Sequence, residues 1–224
     1  MNKAVVVDLD GTLIDSLGDI AAALNRLLDQ EGRKSLALDQ VETLVGEGVN
    51  VLIQGAWTLT GAALTAPGVK PMVERYLDLY FEEPSKRTIV FDGVPAMLQA
   101  LKARGLKVGV CTNKPDKITL KVLQNLGLSD LIDGVVGGDF PRRKPDGEHL
   151  LETLRCLNAD PKASLYVGDS GTDVAAARAA QVPIVCVGFG YSHGPVTGLG
   201  ADWIINDFND PEQLYRIGRE AKVF

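Results

Sequence analysis

Short runs of continuously apolar, largely β-branched residues recur along this chain and constrain its fold more than any other feature. They are Val5–Val7, Val108–Val110, Val135–Val136, Leu165–Val167, Ile184–Val187 and Trp203–Ile205. A strand with one wet face alternates apolar and polar residues, so unbroken apolar runs read as strands buried on both faces. Helix-length segments separate the later runs: Pro95–Arg104, Asp116–Leu126, Glu148–Leu157, Asp173–Ala180 and Pro211–Glu220. Strand alternating with helix predicts an α/β chain with a Rossmann-like, doubly wound parallel sheet.

One interval breaks this rhythm. From Leu17 to Arg87 the chain has no strong strand signal, and the next one is Thr88–Phe91. Ile20, Leu24, Leu27 and Leu28 fall at helical spacing, with Gly32 placed to stop that helix. Val51–Leu59 and Met72–Phe81 are further helical candidates. The expected organisation is therefore an α/β core of residues 1–16 and 88–224, interrupted by an all-helical cap domain at 17–87. A chain of 224 residues, 46% hydrophobic and 23% charged, has the composition to bury such a core.

Charge and cysteine content remove several classes of function. Lys and Arg number 23 against 29 Asp and Glu, a net charge of −6, which argues against coating a nucleic acid or an anionic membrane. Three dispersed cysteines, Cys111, Cys156 and Cys186, make neither a disulfide framework nor a zinc site. No cleavable signal pattern opens the chain, and no apolar run reaches the roughly 18 residues that cross a bilayer. A cytoplasmic protein, monomer or homodimer, is expected.

The strongest chemical signal follows the first strand: Asp8-Leu9-Asp10-Gly11-Thr12-Leu13-Ile14-Asp15. Ligands of open α/β sheets bind beyond the carboxyl ends of the strands, where this segment sets two carboxylates two residues apart. Asp-Gly is also a common turn, but three later segments add to the signal. Thr112-Asn113-Lys114 ends the second core strand with a hydroxyl, an amide and a cation. Arg142-Arg143-Lys144-Pro145 is a basic loop in an acidic chain. Gly168-Asp169-Ser170-Gly171-Thr172-Asp173 brings two more carboxylates to a strand end. Hard oxygen ligands in this number favour Mg²⁺, and the neighbouring donors suit a phosphoryl group, so the chemistry read from the residues is phosphoryl transfer.

Taken in order, the four segments resemble the four motifs of the haloacid dehalogenase superfamily: DxDGTL-x-D, hhhTN, a Lys before Pro, and GDxxxD. The helical insertion resembles the C1 cap of that family. The resemblance implies a Mg²⁺-dependent phosphomonoester hydrolase with Asp8 as nucleophile, an aspartyl-phosphate intermediate and Asp10 as acid and base. It implies metal binding by Asp8, Asp169 and the main-chain carbonyl of Asp10, and phosphate binding by Thr112, Asn113 and Lys144. Asp173 is implied either to anchor the metal through water or to orient Lys144, and Thr12 is the hydrolase-like choice at its position. The expected partner is a small phosphorylated metabolite. Val45-Gly46-Glu47-Gly48 and Gly188-Phe189-Gly190-Tyr191 further resemble phosphoglycolate phosphatases. On that resemblance the backbone around Gly46, Glu47 and Gly48 would meet a small carboxylate, although both glycines could equally just end and start cap helices. Sugar-phosphate phosphatase, pyrophosphatase and β-phosphoglucomutase are the rival activities, and an idle scaffold is the rival without activity.

Other features are read as structural. Gly168-Asp169-Ser170-Gly171 mimics a serine-protease nucleophile motif on a chain of the wrong fold class. Cys111 reads as a buried strand-end residue, Trp57 and Trp203 as packing, and His149 as a helix-surface residue. His193 reads as a loop residue, and Arg142 and Arg143 either steer anions or form a solvated face.

Overall fold

The structure, a computed structural model, describes residues 1–192 and 194–224; His193 lies outside the described residues. Its main sheet has six strands: β1 (Asn2–Val7), β4 (Lys107–Cys111), β5 (Gly134–Val136), β6 (Ala159–Gly168), β7 (Ile184–Val187) and β8 (Trp203–Ile205). Their order is β5-β4-β1-β6-β7-β8, and every pairing is parallel. The chain thus builds one half of the sheet outward from β1, returns, and builds the other half from β1's opposite edge. Loops leaving the central strands diverge at that reversal and open a crevice at their carboxyl ends.

The apolar runs are continuous because both faces of the sheet are covered. Val5 and Val7 enter one apolar layer with Val108, Val110, Leu165 and Val167. Ala4 and Val6 point the other way, into a layer with Tyr166, Ile184 and Cys186. Helices α7 (Gly147–Cys156) and α8 (Gly171–Ala180) cover this second face through Leu150, Leu154, Val174 and Ala177. Helices α5 (Val94–Ala103), α6 (Asp116–Asn125) and α9 (Gln213–Glu220) pack on the first. Cys111 is fully buried in the second layer, as expected of a strand-end residue.

Between residues 16 and 88 the described structure has four helices and no strand: α1 (Leu17–Gln30), α2 (Leu38–Glu42), α3 (Val49–Thr60) and α4 (Ala66–Glu82). Gly32, at φ 65°, ends the first helical stretch as its position suggested, with the Arg33 N–H returning to the Leu28 carbonyl. The short α2 and the first turn of α4 carry too little apolar periodicity to be seen in the sequence. Trp57 packs in the core.

The Thr88–Phe91 signal turns out to belong to a different sheet. Here β3 (Ile89–Val90) pairs antiparallel with β2 (Ile14–Asp15), forming a two-stranded ribbon where the chain leaves and rejoins the α/β layers. Asp19, on the first turn of α1, is buried beside this ribbon. Its carboxylate accepts from the N–H groups of Arg87 (2.8 and 3.0 Å) and Thr88 (2.8 Å) and from the Thr88 hydroxyl (2.7 Å). One side chain thereby ties both crossings together.

Every atom facing Asp19 is a donor, so replacing one carboxylate oxygen by an NH₂ sets donor against donor. Asp19→Asn should cost about 1–3 kcal/mol, read as a lower midpoint in urea unfolding with an unchanged slope.

Candidate active site

The carboxyl ends of β1, β4 and β6 converge, and the sequence candidates converge with them. Asp8 leaves β1, Thr112 to Lys114 leave β4, and Asp169 leaves β6. Asp8, Asp10, Thr112, Asn113, Lys114 and Asp169 line one cavity, roofed by Ile20, Val49, Leu52, Tyr76 and Tyr80 from the helical segment. Gly46 and Gly48 also line it, whereas Glu47 is exposed.

Two buried ammonium groups organise the floor. Lys144, 4% exposed, places Nζ 2.7 Å from Asp173 Oδ1 and 2.8 Å from Asp8 Oδ1. The approach to Asp8 is off the hydrogen-bonding direction, so this buried oxygen has charge pairing but no aligned donor. Lys114 places Nζ 2.9 and 3.2 Å from the two oxygens of Asp10, and 2.6 Å from the Tyr80 hydroxyl. Asp10 also accepts from Ser16 Oγ at 2.5 Å.

Asp173 is saturated. Oδ1 accepts from Lys144 and from the Tyr166 hydroxyl (2.7 Å), and Oδ2 from Ser170 Oγ (2.6 Å) and the N–H groups of Ser170 and Asp169. Ser170 and Asp173 close a reciprocal capping box at the start of α8. Burial acts to raise the Asp173 pKa, but the Lys144 charge and these hydrogen bonds outweigh it and hold the carboxyl below its ordinary range. With both oxygens engaged, Asp173 is built to orient Lys144.

Asp8 and Asp169 are in the opposite condition. Burial, more than any neighbour, raises the Asp8 carboxyl to about 7; Asp173 adds to the rise while Lys144 opposes it. Burial also lifts Asp169 well above its ordinary value, helped by Asp173 and Asp8. Asp169 accepts the Tyr191 N–H at 2.7 Å and the Thr12 hydroxyl at 3.4 Å. Gly11, at φ 80°, and Gly190 press against it so closely that a Cβ on either would overlap its atoms.

These residues suit a divalent cation. Asp8, Asp169 and Asp173 each bring a carboxylate oxygen within 4.8 Å of the others. One ammonium is too little charge for three buried carboxylates. Asp8 Oδ1 lacks an aligned donor, and among the described residues nothing donates to the Asp10 carbonyl. Asp8, Asp169 and that carbonyl are the groups free to hold such an ion.

Asn113 has a different place from the one expected of a phosphate binder. Its amide nitrogen donates to the carbonyls of Gly46 and Lys144, both at 3.0 Å, and its oxygen is buried without a donor. The side chain joins the loop before α3 to the Lys144 loop. Gly46 and Gly48 have φ of 114° and 94°, which glycine alone adopts readily. Arg142 is exposed and pairs with Asp146, while Arg143 lies half-buried against Gly48.

His149 corrects the sequence reading. It is fully buried rather than on a helix surface, because it faces the sheet from α7. Its Nδ1 accepts the Lys144 N–H (3.1 Å) and its Nε2 lies 3.1 Å from the Gly137 carbonyl, so a neutral ring staples the loop that carries Lys144. Burial, then the Lys144 charge, lowers its pKa to about 4. Tyr80, Tyr166, Tyr191 and Ser16 were also missed. Only Tyr191, in the motif after β7, stood in a segment with a sequence signal. Its hydroxyl accepts the N–H groups of Ser16 and Leu17 and donates to Asp15, linking Asp169's partner to the base of α1.

Carboxylates and buried ammonium groups gathered beyond the carboxyl ends of a parallel sheet define an α/β enzyme scaffold built for an anionic ligand. The chain belongs to the haloacid dehalogenase-like hydrolase family, which it matches over residues 5–187. The phosphoglycolate phosphatase of Rhodospirillum rubrum is 41% identical over 213 residues, covering 93% of this chain and 88% of that protein. That of Caulobacter vibrioides is 38% identical over 212 residues, covering 94% and 90%. A crystal structure from Haemophilus somnus, described as a predicted phosphoglycolate phosphatase, superposes with a TM-score of 0.89 at 31% identity, covering 96% of this chain and 98% of that one.

A histidine buried neutral binds fewer protons than in the unfolded chain between its folded pKa of about 4 and its ordinary 6.5. Stability from this group is therefore present above about 6.5 and lost as pH falls toward 4. The stability gap between the native protein and His149→Gln, measured by urea unfolding at several pH values, should narrow steadily over that window.

Proposed function

We propose that this chain is a Mg²⁺-dependent phosphomonoester hydrolase that forms an aspartyl-phosphate on Asp8 and acts on 2-phosphoglycolate. The observation that carries the chemistry is the buried Asp8 carboxylate at the end of β1, 2.8 Å from Lys144 and clustered with Asp169. The substrate assignment rests on relatives of that name matching more than nine tenths of the chain at 38 to 41% identity.

A carboxylate approaching a phosphate dianion meets repulsion of roughly 4 kcal/mol per charge pair at 4 Å and an effective dielectric of 20. Lys144 offsets part of it from within the site, and Asp173 fixes the ammonium so that it cannot turn away. Mg²⁺, when held by Asp8, Asp169 and the Asp10 carbonyl, would supply Lewis-acid charge neutralisation at the phosphoryl oxygens. One oxygen of the Asp8 carboxylate attacks phosphorus as the ester P–O bond breaks. Asp10, turned from Lys114 and Ser16 and carrying a proton taken from water, gives it to the departing alkoxide; it later regains one from the water that cleaves the acyl phosphate and frees phosphate. Thr112 and Asn113 line the cavity, and the Thr112 hydroxyl and the Asn113 main-chain N–H, which has no acceptor among the described residues, would meet the phosphoryl oxygens. Residues 17–87 act as a cap: they exclude water in the first step, and Asn113 latches the loop at Gly46 when the cap is down.

Asp8→Asn should lower kcat on p-nitrophenyl phosphate and 2-phosphoglycolate by at least about 10⁴-fold, and EDTA should abolish activity reversibly. Survival of turnover in Asp8→Asn, or a strong preference for a hexose phosphate, overturns the respective half of the assignment. The raised Asp8 carboxyl adds a pH dependence. A proton competes for the ligand below about 7, so apparent Mg²⁺ affinity should rise as pH rises through that value. Calorimetric titrations on either side of pH 7, with proton release recorded, would detect this.

A further inference from the structure

A second cationic corner of the same cavity has donors beyond those that hold Asp10. Lys114 follows Thr112 and Asn113 beyond β4, and its buried side chain runs beneath α4 to the Tyr80 hydroxyl. Apart from Lys144, which lies beneath Asp8, it is the only lysine or arginine among the described residues at the cavity.

The donors in this corner are not all matched. An ammonium carries three N–H bonds spread at tetrahedral angles. The two oxygens of Asp10, 2.9 and 3.2 Å away, belong to one carboxylate and subtend far less than that angle, so they share one hydrogen. Tyr80 accepts a second at 2.6 Å. The third has no acceptor, and neither does the hydroxyl proton of Tyr80, since among the described residues this oxygen takes part only as an acceptor. Two buried donors therefore stand side by side, at a separation matching the two oxygens of a single carboxylate. The remaining cap-side wall is mostly apolar, with Ile20, Val49, Leu52 and Leu77, and Tyr76 adds the one further side-chain hydroxyl, so it offers little to the several hydroxyl groups of a sugar. Buried donors left unmet discriminate strongly against ligands that cannot satisfy them.

We propose that Lys114 and Tyr80 form the subsite for the carboxylate of the substrate, with Lys114 as its charge partner and Tyr80 as the second donor. This rests on the phosphatase reading above and moves recognition from the backbone of the Gly46–Gly48 loop to a side-chain pair shared by core and cap. The carboxylate meets the free N–H of Lys114 and the Tyr80 O–H while the phosphoryl group lies toward Asp8. A phosphate ester with no second anion leaves both donors unsatisfied.

The test compares 2-phosphoglycolate with 2-hydroxyethyl phosphate, its twin with a hydroxymethyl group in place of the carboxylate. Both are assayed with the native protein, Lys114→Gln and Tyr80→Phe. Lys114→Gln should lower kcat/KM for 2-phosphoglycolate about a hundredfold, mainly through KM, and the loss on the neutral twin should be at least tenfold smaller. Tyr80→Phe, which removes one oxygen and little packing, should erode the same preference by about tenfold. Equal losses on both esters would overturn the proposal, because Lys114 would then act only by placing Asp10. A preference left intact in Tyr80→Phe and Lys114→Gln would overturn it too. The wider reading fails separately: a native protein that does not prefer 2-phosphoglycolate to its twin refutes the substrate assignment before any variant is read, and the subsite with it.

Discussion

The arrangement at the floor of the site depends on one buried ammonium, Lys144, held between Asp8 and Asp173. Removing such a group from water costs several kcal/mol, which only close, well-directed partners can offset. Burial accordingly pulls the Lys144 pKa down, yet Asp173 and Asp8 together push it above its ordinary value, so it stays charged. Asp173 can do this because Tyr166, Ser170 and the Asp169 N–H already fix both of its oxygens. Asp8 is left as the partner with an undirected oxygen, which is the condition the proposed nucleophile and metal ligand needs. The neutral ring of His149 completes the arrangement by anchoring the loop from which Lys144 projects.

A second ammonium, Lys114, does for Asp10 what Lys144 does for Asp8, but with a partner from the helical segment. Tyr80 belongs to α4, so this corner exists only when the helices lie over the sheet. Two other contacts join the same layers: Asn113 reaches the Gly46 carbonyl, and Tyr191 links Asp169 to the start of α1. Asp19 gathers the two crossings of the chain at a fixed point to one side. The roof shares one apolar cluster with the sheet layer, and these polar contacts fix how it sits over the floor of the site.

Much of this was legible in the chain because it is local. Each apolar run became a strand, and three of the four motifs sit where a strand ends, the Lys144 motif lying further along the loop after β5, since a strand buried on both faces must expose its polar residues beyond its tip. Residues that act through distant partners were not legible. His149 lies on a helix whose pattern alone cannot say which side meets the sheet. Tyr166 looks like any apolar strand residue until Asp173 is found 2.7 Å from its hydroxyl. Tyr80 sits in a helical stretch with nothing to mark it, and its partner Lys114 is 34 residues away. Of the β2–β3 ribbon only the Thr88–Phe91 half left a signal, and its pairing joins residues on either side of the helical segment.

The sequence by itself determined the α/β class, the helical interruption, and the carboxylates, hydroxyl and lysine beyond the strand tips. These follow from residue type and spacing, which hydrophobic burial and backbone geometry translate directly. Tertiary structure alone decided which carboxylates are free and which are saturated, which lysine serves which aspartate, and that Asn113 bridges two loops. The reason is that burial and hydrogen-bond partners, set by side chains far apart in the chain, fix the charge and availability of each group.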